Sequence, residues 1–376
     1  MKYNKINSFL ISKYIAIKRR AYIFFKKDFN PYPSIPKGMK YSPSEFLKNQ
    51  LDNMNTKLQF NQTNLKNKKS QQKIFRKKIE NLIVIKKDMN FKIIKTKKTI
   101  YKNKYIRKRI YVSLAKDREL PIDILFKKDL TSPKGLILCM QGTNSGAHLN
   151  LGEIRMPADV FKVMSGSSLA LQAADNNFIA ISFDRVGYGE RRETKLSKSS
   201  PLPVIDISLH TLALGGSLLG ESLSELYTIC NWLKKKYKGL PLWCVGYSSA
   251  GNIALIGASL FDKLIDGICV GGCIGLFKDT ILKRGVSAHL EVVYCRKWFE
   301  QDMFLQLIAP KPCLIIAGIK DHIWPYKGAK KVVDLAKPMF RQYNSSKNLK
   351  LIKGLMGHTY YPDLMWRDIN KYFKKY

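Results

Sequence analysis

Three residue types that can together cleave an acyl bond occur in this chain in a usable order: Ser248, Asp321 and His358. A serine hydroxyl is a poor nucleophile near neutral pH and needs a base within hydrogen-bond reach. His358 would be that base, and Asp321 would hold the imidazole tautomer and stabilise its charged form. The serine lies in Gly246-Tyr-Ser-Ser-Ala-Gly251, a Gly-x-Ser-x-Gly-like pattern with Ala250 at the place of the last glycine. So short a pattern also arises by chance, and a second register, with Ser249 as nucleophile and Gly251 as closing glycine, is open from the residues alone. The oxyanion formed on attack needs N–H donors, for which the Ser249 backbone and one of Gly142, Thr143 or Asn144 are the candidates.

Each residue has a plainer reading. Asp321 alone fits a turn, and His358 alone fits an exposed loop. His322 is a rival base, but an acid and a base adjacent on one loop rarely face each other. The histidines at 148, 210 and 289 are less well placed. What favours chemistry is that all three members fall in order, each at the end of an expected strand.

Those strands follow from the hydrophobic pattern. Residues 242–245 read as a short buried strand, 246–251 as a small-residue turn and 252 onward as an apolar helix, the corner that exposes a nucleophile. Residues 93–99, 105–114 and 120–126 alternate and are β-branched, an antiparallel start to a sheet. The apolar runs 135–140, 178–183, 267–273 and 313–317 suit buried strands, and 349–352 reads as the last strand. Helices are expected at 168–174, 207–236, after the elbow, at 327–336 and at 361–372, with 274–309 as an excursion above the sheet. This alternation predicts an α/β fold with one open, mostly parallel sheet covered by helices on both faces. Its carboxyl edge would carry the loops 141–146 and 184–192, Ser248, Asp321 and His358.

Upstream, residues 1–90 are expected to form a basic arm and helical appendage, and 91–376 the catalytic domain. Prolines 31, 33 and 36 end an extended arm over residues 1 to about 40. Ser42-Pro43 reads as a helix start, and a second helix is expected at about 70–85.

Composition narrows the classes. The 376 residues, 45% hydrophobic, can bury a large core. Of the net charge of +38, the first 110 residues contribute +25, from 30 Lys+Arg against 5 Asp+Glu. No finger or paired-aromatic signature accompanies that charge, so specific nucleic-acid binding is not expected. Weak contact of residues 1–110 with polyanions or an anionic membrane is the partner reading, beside a small-molecule ester. Seven cysteines, an odd number, fall mostly in apolar runs and point to free thiols in a reducing, cytoplasmic setting. Cys269 and Cys273 lack a second pair at zinc spacing, so no metal or cofactor is expected. Neither a signal peptide nor a membrane-spanning run is read in the sequence.

From about residue 105 to its end, the chain resembles the α/β-hydrolases related to dienelactone hydrolase and acetyl xylan esterase. The resemblance rests on Leu138-Cys-Met-Gln-Gly-Thr-Asn-Ser-Gly-Ala-His-Leu-Asn-Leu-Gly152, Phe183-Asp-Arg-Val-Gly-Tyr-Gly-Glu-Arg-Arg192, Leu218-Leu-Gly-Glu221, Gly246-Tyr-Ser-Ser-Ala-Gly-Asn252, Leu307-Ile-Ala-Pro-Lys-Pro312 and Gly357-His358. It implies the α/β-hydrolase fold, a serine hydrolase acting on carboxylic esters with small acyl groups, and Ser248 as nucleophile in place of Ser249. Members of that group often carry a similar helical appendage. Thioesterase or peptidase chemistry on the same triad is the near alternative; a binding or scaffold protein with a relic triad is the distant one.

The chain also departs from the group's pattern. Gln141-Gly142 stands where His-Gly is usual, and Ser249 and Ala250 replace elbow glycines. If their backbone needs positive φ, the added Cβ atoms cost about 1 kcal/mol and weaken activity. Arg185, Arg191, Arg192 and Glu221 match the group's pattern and are expected in buried salt bridges that fix the loops, with substrate-anion binding as the minor reading.

Overall fold

The computed structural model describes residues 5–25, 37–39, 43–60, 67–195, 203–284 and 295–373. Nine strands form one sheet: β1 (Lys92–Tyr101), β2 (Tyr105–Ala115), β3 (Arg118–Lys127), β4 (Leu136–Met140), β5 (Ile179–Phe183), β6 (Leu242–Tyr247), β7 (Gly267–Gly271), β8 (Cys313–Gly318) and β9 (Leu349–Gly354). Their order is β1-β2-β3-β5-β4-β6-β7-β8-β9. The pairs β1–β2, β2–β3 and β3–β5 are antiparallel, and every pair from β5 to β9 is parallel.

Position in the sheet explains the sequence of each strand. β4, β5, β6, β7 and β8 are buried at every residue and are apolar but for Ser182, whereas outlying β1 is exposed along nearly its whole length. Each face of the sheet has its own core. One face is covered by helices Leu218–Lys236, Ser249–Leu260, Gln301–Ile308 and Tyr326–Gln342, the other by Leu169–Asp175 and Pro362–Phe373.

Three sequence expectations change. The single helix at 207–236 is two, Pro203–Ala213 and Leu218–Lys236, because Gly215 takes a φ of +78° and the Ser217 hydroxyl accepts from the Gly220 N–H at 2.9 Å as a helix cap. Part of the 274–309 excursion is core: Phe304, Leu305 and Leu307 on Gln301–Ile308 are fully buried, while 285–294 fall outside the described residues. Residues 5–24, where an extended arm was expected, form the helix Lys5–Phe24, and the three prolines lie outside the described residues.

The chain divides into compact units at 1–50 and 51–376. Helix Lys68–Ile83 belongs to the larger one, with Ile79 and Ile83 fully buried. Gln72 Nε2 donates to the Gln306 carbonyl at 2.8 Å, Arg76 Nε to Ser259 O at 2.7 Å and Arg76 Nη2 to Leu307 O at 2.6 Å. These polar side chains satisfy carbonyls left open at the ends of helices Ser249–Leu260 and Gln301–Ile308. Among the described residues no helix is long and apolar enough to cross a membrane.

Candidate active site

Ser248 stands between the end of β6 and the start of helix Ser249–Leu260, with φ 55° and ψ −127°. A side chain on left-handed backbone is strained, and the surrounding contacts hold it there. Its N–H donates to Gly271 O on β7 at 2.8 Å. A Cβ at Gly246 would lie 2.7 Å from Ala250 O, and one at Gly251 would lie 2.6 Å from Cys273 Sγ, so both glycines are fixed by close approach. Ser249 and Ala250 are already helical, and neither is among the positive-φ residues. The strain expected from their Cβ atoms is therefore absent: the turn places its unusual backbone on Ser248 alone, and Ala250 packs into the core.

The structure brings the three separated residues together. His358 Nε2 is 3.1 Å from Ser248 Oγ, and His358 Nδ1 is 2.8 Å from Asp321 Oδ2. The other Asp321 oxygen accepts from the N–H groups of Ile323 and Trp324 at 2.8 and 2.9 Å. Burial opposes the charged form of Asp321, but hydrogen bonds from His358 and those two N–H groups outweigh it and hold the carboxyl below its ordinary pKa. Its neighbour His322 makes neither of the bonds that define this chain of contacts; both run through His358.

Two residues not singled out from the sequence shape this side. The Tyr247 ring lies 5.0 Å from the His358 ring and 4.5 Å from that of Tyr360. Gly272, at φ +57°, has room only for hydrogen, since a Cβ would meet the Tyr247 ring at 2.7 Å and His358 Cε1 at 3.0 Å. Neither position carries a readable signal, because its constraint comes from residues distant in sequence.

The loop after β4 forms the opposite wall. A Cβ at Gly142 would sit 2.7 Å from Tyr247 O and 3.0 Å from Ser248 Cβ, so only glycine lets this loop lie against the elbow. The Asn144 N–H is bonded to Gly142 O at 3.0 Å, which leaves Gly142 and Thr143 as the loop's candidate donors. Gln141, in the place of a usual histidine, is buried and paired at both ends. Its Nε2 donates to Asn150 Oδ1 and Ser167 O at 2.6 and 2.7 Å, and its Oε1 accepts from the Tyr360 hydroxyl at 2.6 Å and Asn144 Nδ2 at 2.9 Å.

Arg185 ties this wall to the elbow. Its Nη2 donates to Ser249 Oγ at 2.9 Å, Gly142 O at 3.2 Å and Gln141 O at 3.3 Å, and Thr143 Oγ1 donates to Ser249 Oγ at 3.2 Å. The Ser249 hydroxyl, a departure from the group's pattern, is thus the meeting point of both segments. Burial pushes the Arg185 pKa down, and the guanidinium stacks over Tyr188 at 4.4 Å.

The expectation of salt bridges holds for Arg191 and Glu221 but not for Arg185 or Arg192. Arg191 makes two 2.7 Å bonds to Glu225, and Glu221 pairs with Arg118 at 2.5 Å and Lys86 at 2.9 Å. Arg192 bonds the Gly189 carbonyl at 3.1 Å, and Arg185 is in none of the ion pairs among the described residues. Glu225, which the sequence reading passed over, is fully buried between Arg191 and Arg118 and anchors the 184–192 loop.

A second carboxylate fixes the loop further on. Asp159 is buried and accepts from the Ser145 hydroxyl, from the N–H groups of Arg155 and Met156 at 2.9 and 2.8 Å, and contacts His148 Nε2 at 2.9 Å. Burial works against its charge, yet the Ser145, His148 and backbone bonds prevail and hold its pKa at about 2. Among the described residues no group of three or more His, Cys, Asp or Glu could hold a metal ion.

No family model matches the chain. In sequence it is 22% identical over 187 residues to the "Putative hydrolase YtaP" of Bacillus subtilis strain 168, a match that covers 47% of this chain and 58% of that protein. The chain therefore spans less than two thirds of the curated relative's length. In structure it is similar to a "putative acetyl xylan esterase" of Bacteroides fragilis, at a TM-score of 0.68 and 18% identity over 89% of this chain and 86% of that one. It is also similar to a glucuronoyl esterase of Solibacter usitatus, at a TM-score of 0.56 and 13% identity over 80% and 91%. A promiscuous CE15 esterase from a marine bacterial metagenome matches at 0.57 and 13% over 80% and 89%. With the strand order and elbow already described, these likenesses establish the α/β-hydrolase fold.

Proposed function

We propose that the protein is a serine hydrolase that cleaves carboxylic esters through an acyl-enzyme, with Ser248 as nucleophile, His358 as base and Asp321 as its orienting acid. The observation that carries this reading is the continuous hydrogen-bonded line Asp321–His358–Ser248, its serine raised on left-handed backbone at a strand-to-helix corner. Ser248 Oγ attacks the ester carbonyl carbon as His358 Nε2 takes its proton. Negative charge gathers on the former carbonyl oxygen, where the Ser249 N–H and a donor from Gly142 or Thr143 receive it. His358 then passes the proton to the departing alcohol. In the second half, water repeats the attack on the acyl-enzyme and Ser248 is released.

Small acyl groups are the substrate class we favour, supported by the sequence resemblance and by the esterase names of the structural neighbours. A fluorophosphonate probe tests the chemistry, since it labels a serine only where the base activates it. Label located by mass spectrometry on Ser248 is the expected result. No label, or label that persists in Ser248→Ala, overturns the reading and returns the protein to the scaffold alternative.

A further inference from the structure

The helix Lys5–Phe24 offers a surface that the hydrolase reading does not use. At 3.6 residues per turn, Leu10, Tyr14, Ile17, Ala21 and Phe24, spaced four, three, four and three apart, fall within an arc of about 80°. Leu10, Tyr14, Ile17 and Phe24 are 58%, 65%, 66% and 81% exposed, so this stripe faces solvent. By the same geometry Lys13 and Arg20 border one side of the stripe, Lys18 borders the other and Arg19 lies opposite. The helix carries no acidic residue, and its longest uncharged run, residues 6–12, is too short to span a bilayer.

We propose that this helix lies in the plane of an anionic lipid surface, with the Leu10–Phe24 stripe inserted among the acyl chains and Lys13, Lys18 and Arg20 reaching to the headgroups. Two features select lipid over a second copy of the chain. Pairing two such helices would bring like charges together along both borders of the stripe, whereas an anionic leaflet complements them. Long cationic side chains beside an apolar stripe are also suited to an interface, where the stem is buried and the charge stays wet. Ile11, Ile15 and Tyr22 lie across the helix between Lys18 and Arg19, and Phe9, 5.3 Å from the Lys13 ammonium, lies just beyond Arg20.

The test uses the full chain and sedimentation with vesicles of phosphatidylcholine, with and without phosphatidylserine. Three proteins are compared: the wild type, Leu10→Glu/Ile17→Glu/Phe24→Glu, and Lys13→Gln/Lys18→Gln/Arg20→Gln. The proposal expects binding only to the anionic vesicles, reduced at least about tenfold by either triple substitution and by high salt. Unchanged thermal unfolding of residues 51–376 and unchanged turnover of a soluble ester show that the fold is intact, and keep this test separate from the hydrolase reading. Equal binding to neutral vesicles, or wild-type binding by both variants, overturns it. So does heparin retention that the glutamate variant keeps and the glutamine variant loses, which assigns the charge to polyanions. A dimer abolished by the glutamates with no vesicle binding assigns the stripe to a second copy.

Discussion

Ser248 is flanked by two buried charges held in opposite ways. On the histidine side, Asp321 receives His358 and two backbone N–H groups, so its charge is matched bond for bond. On the loop side, Arg185 is buried, is in none of the ion pairs among the described residues, and donates to two carbonyls and the Ser249 hydroxyl. The contrast separates two kinds of work. Under the proposed reading, the acid side would orient a proton carrier, which requires particular side chains. Under that reading, the loop side would set the positions of backbone N–H groups, and the buried positive charge behind them would favour the negative oxygen formed in front.

The comparison can be broken hardest on the acid side. Ser248→Ala or His358→Ala is expected to lower kcat for a soluble ester by about 10⁴-fold or more, and Asp321→Asn by about 10⁴-fold, with KM little changed. If Asp321→Asn retains most of the activity, the acid side is not the proton-carrying side. Replacing Arg185 by Met is expected to lower kcat by about 10²-fold while fluorophosphonate labelling of Ser248 persists more slowly. Arg185→Lys, which keeps charge without the planar fork, should recover part of that loss; an equal loss in both variants would mean the hydrogen bonds matter and the charge does not. Ser249→Ala removes only the hydroxyl at which Arg185 and Thr143 meet, and kcat should fall by less than about tenfold.

The smallest effect concerns pH. Asp159 has a folded pKa of about 2, below the unfolded value of about 3.9. Its stabilisation is therefore complete above that unfolded value and is lost as pH falls toward the folded one. Urea midpoints measured through that window should decline less steeply for Asp159→Asn than for the wild type. Parallel declines would remove Asp159 from the acid limb.

What could be read from the sequence follows the same division. That Ser248, Asp321 and His358 come together could be anticipated because the sheet restricts their places. Apolar runs mark β4 to β8 because strands buried on both faces carry almost no polar residue, Ser182 being the exception. The loop side was poorly legible: Gln141 and Ser249 looked like damage until Asn150, Tyr360, Arg185 and Thr143 appeared around them. Backbone donors leave no residue code, and the partners that position them come from distant segments. The glycines at 142 and 272 have the same origin, since each is fixed by a side chain or carbonyl from another element. The place of helix Lys68–Ile83 in the larger compact unit is hard to read for a related reason. A basic helix reads as an appendage when its polar residues, Gln72 and Arg76, cap helix ends far along the chain.

Those capping contacts set a timetable for synthesis. Gln72 waits for Gln306, which is 234 positions later. At ribosomal speeds of about 5–20 residues per second, Gln72 is made roughly 10–50 s before the carbonyl to which it donates. Until then its amide is left to water, so these contacts of the helix belong to the last stage of folding.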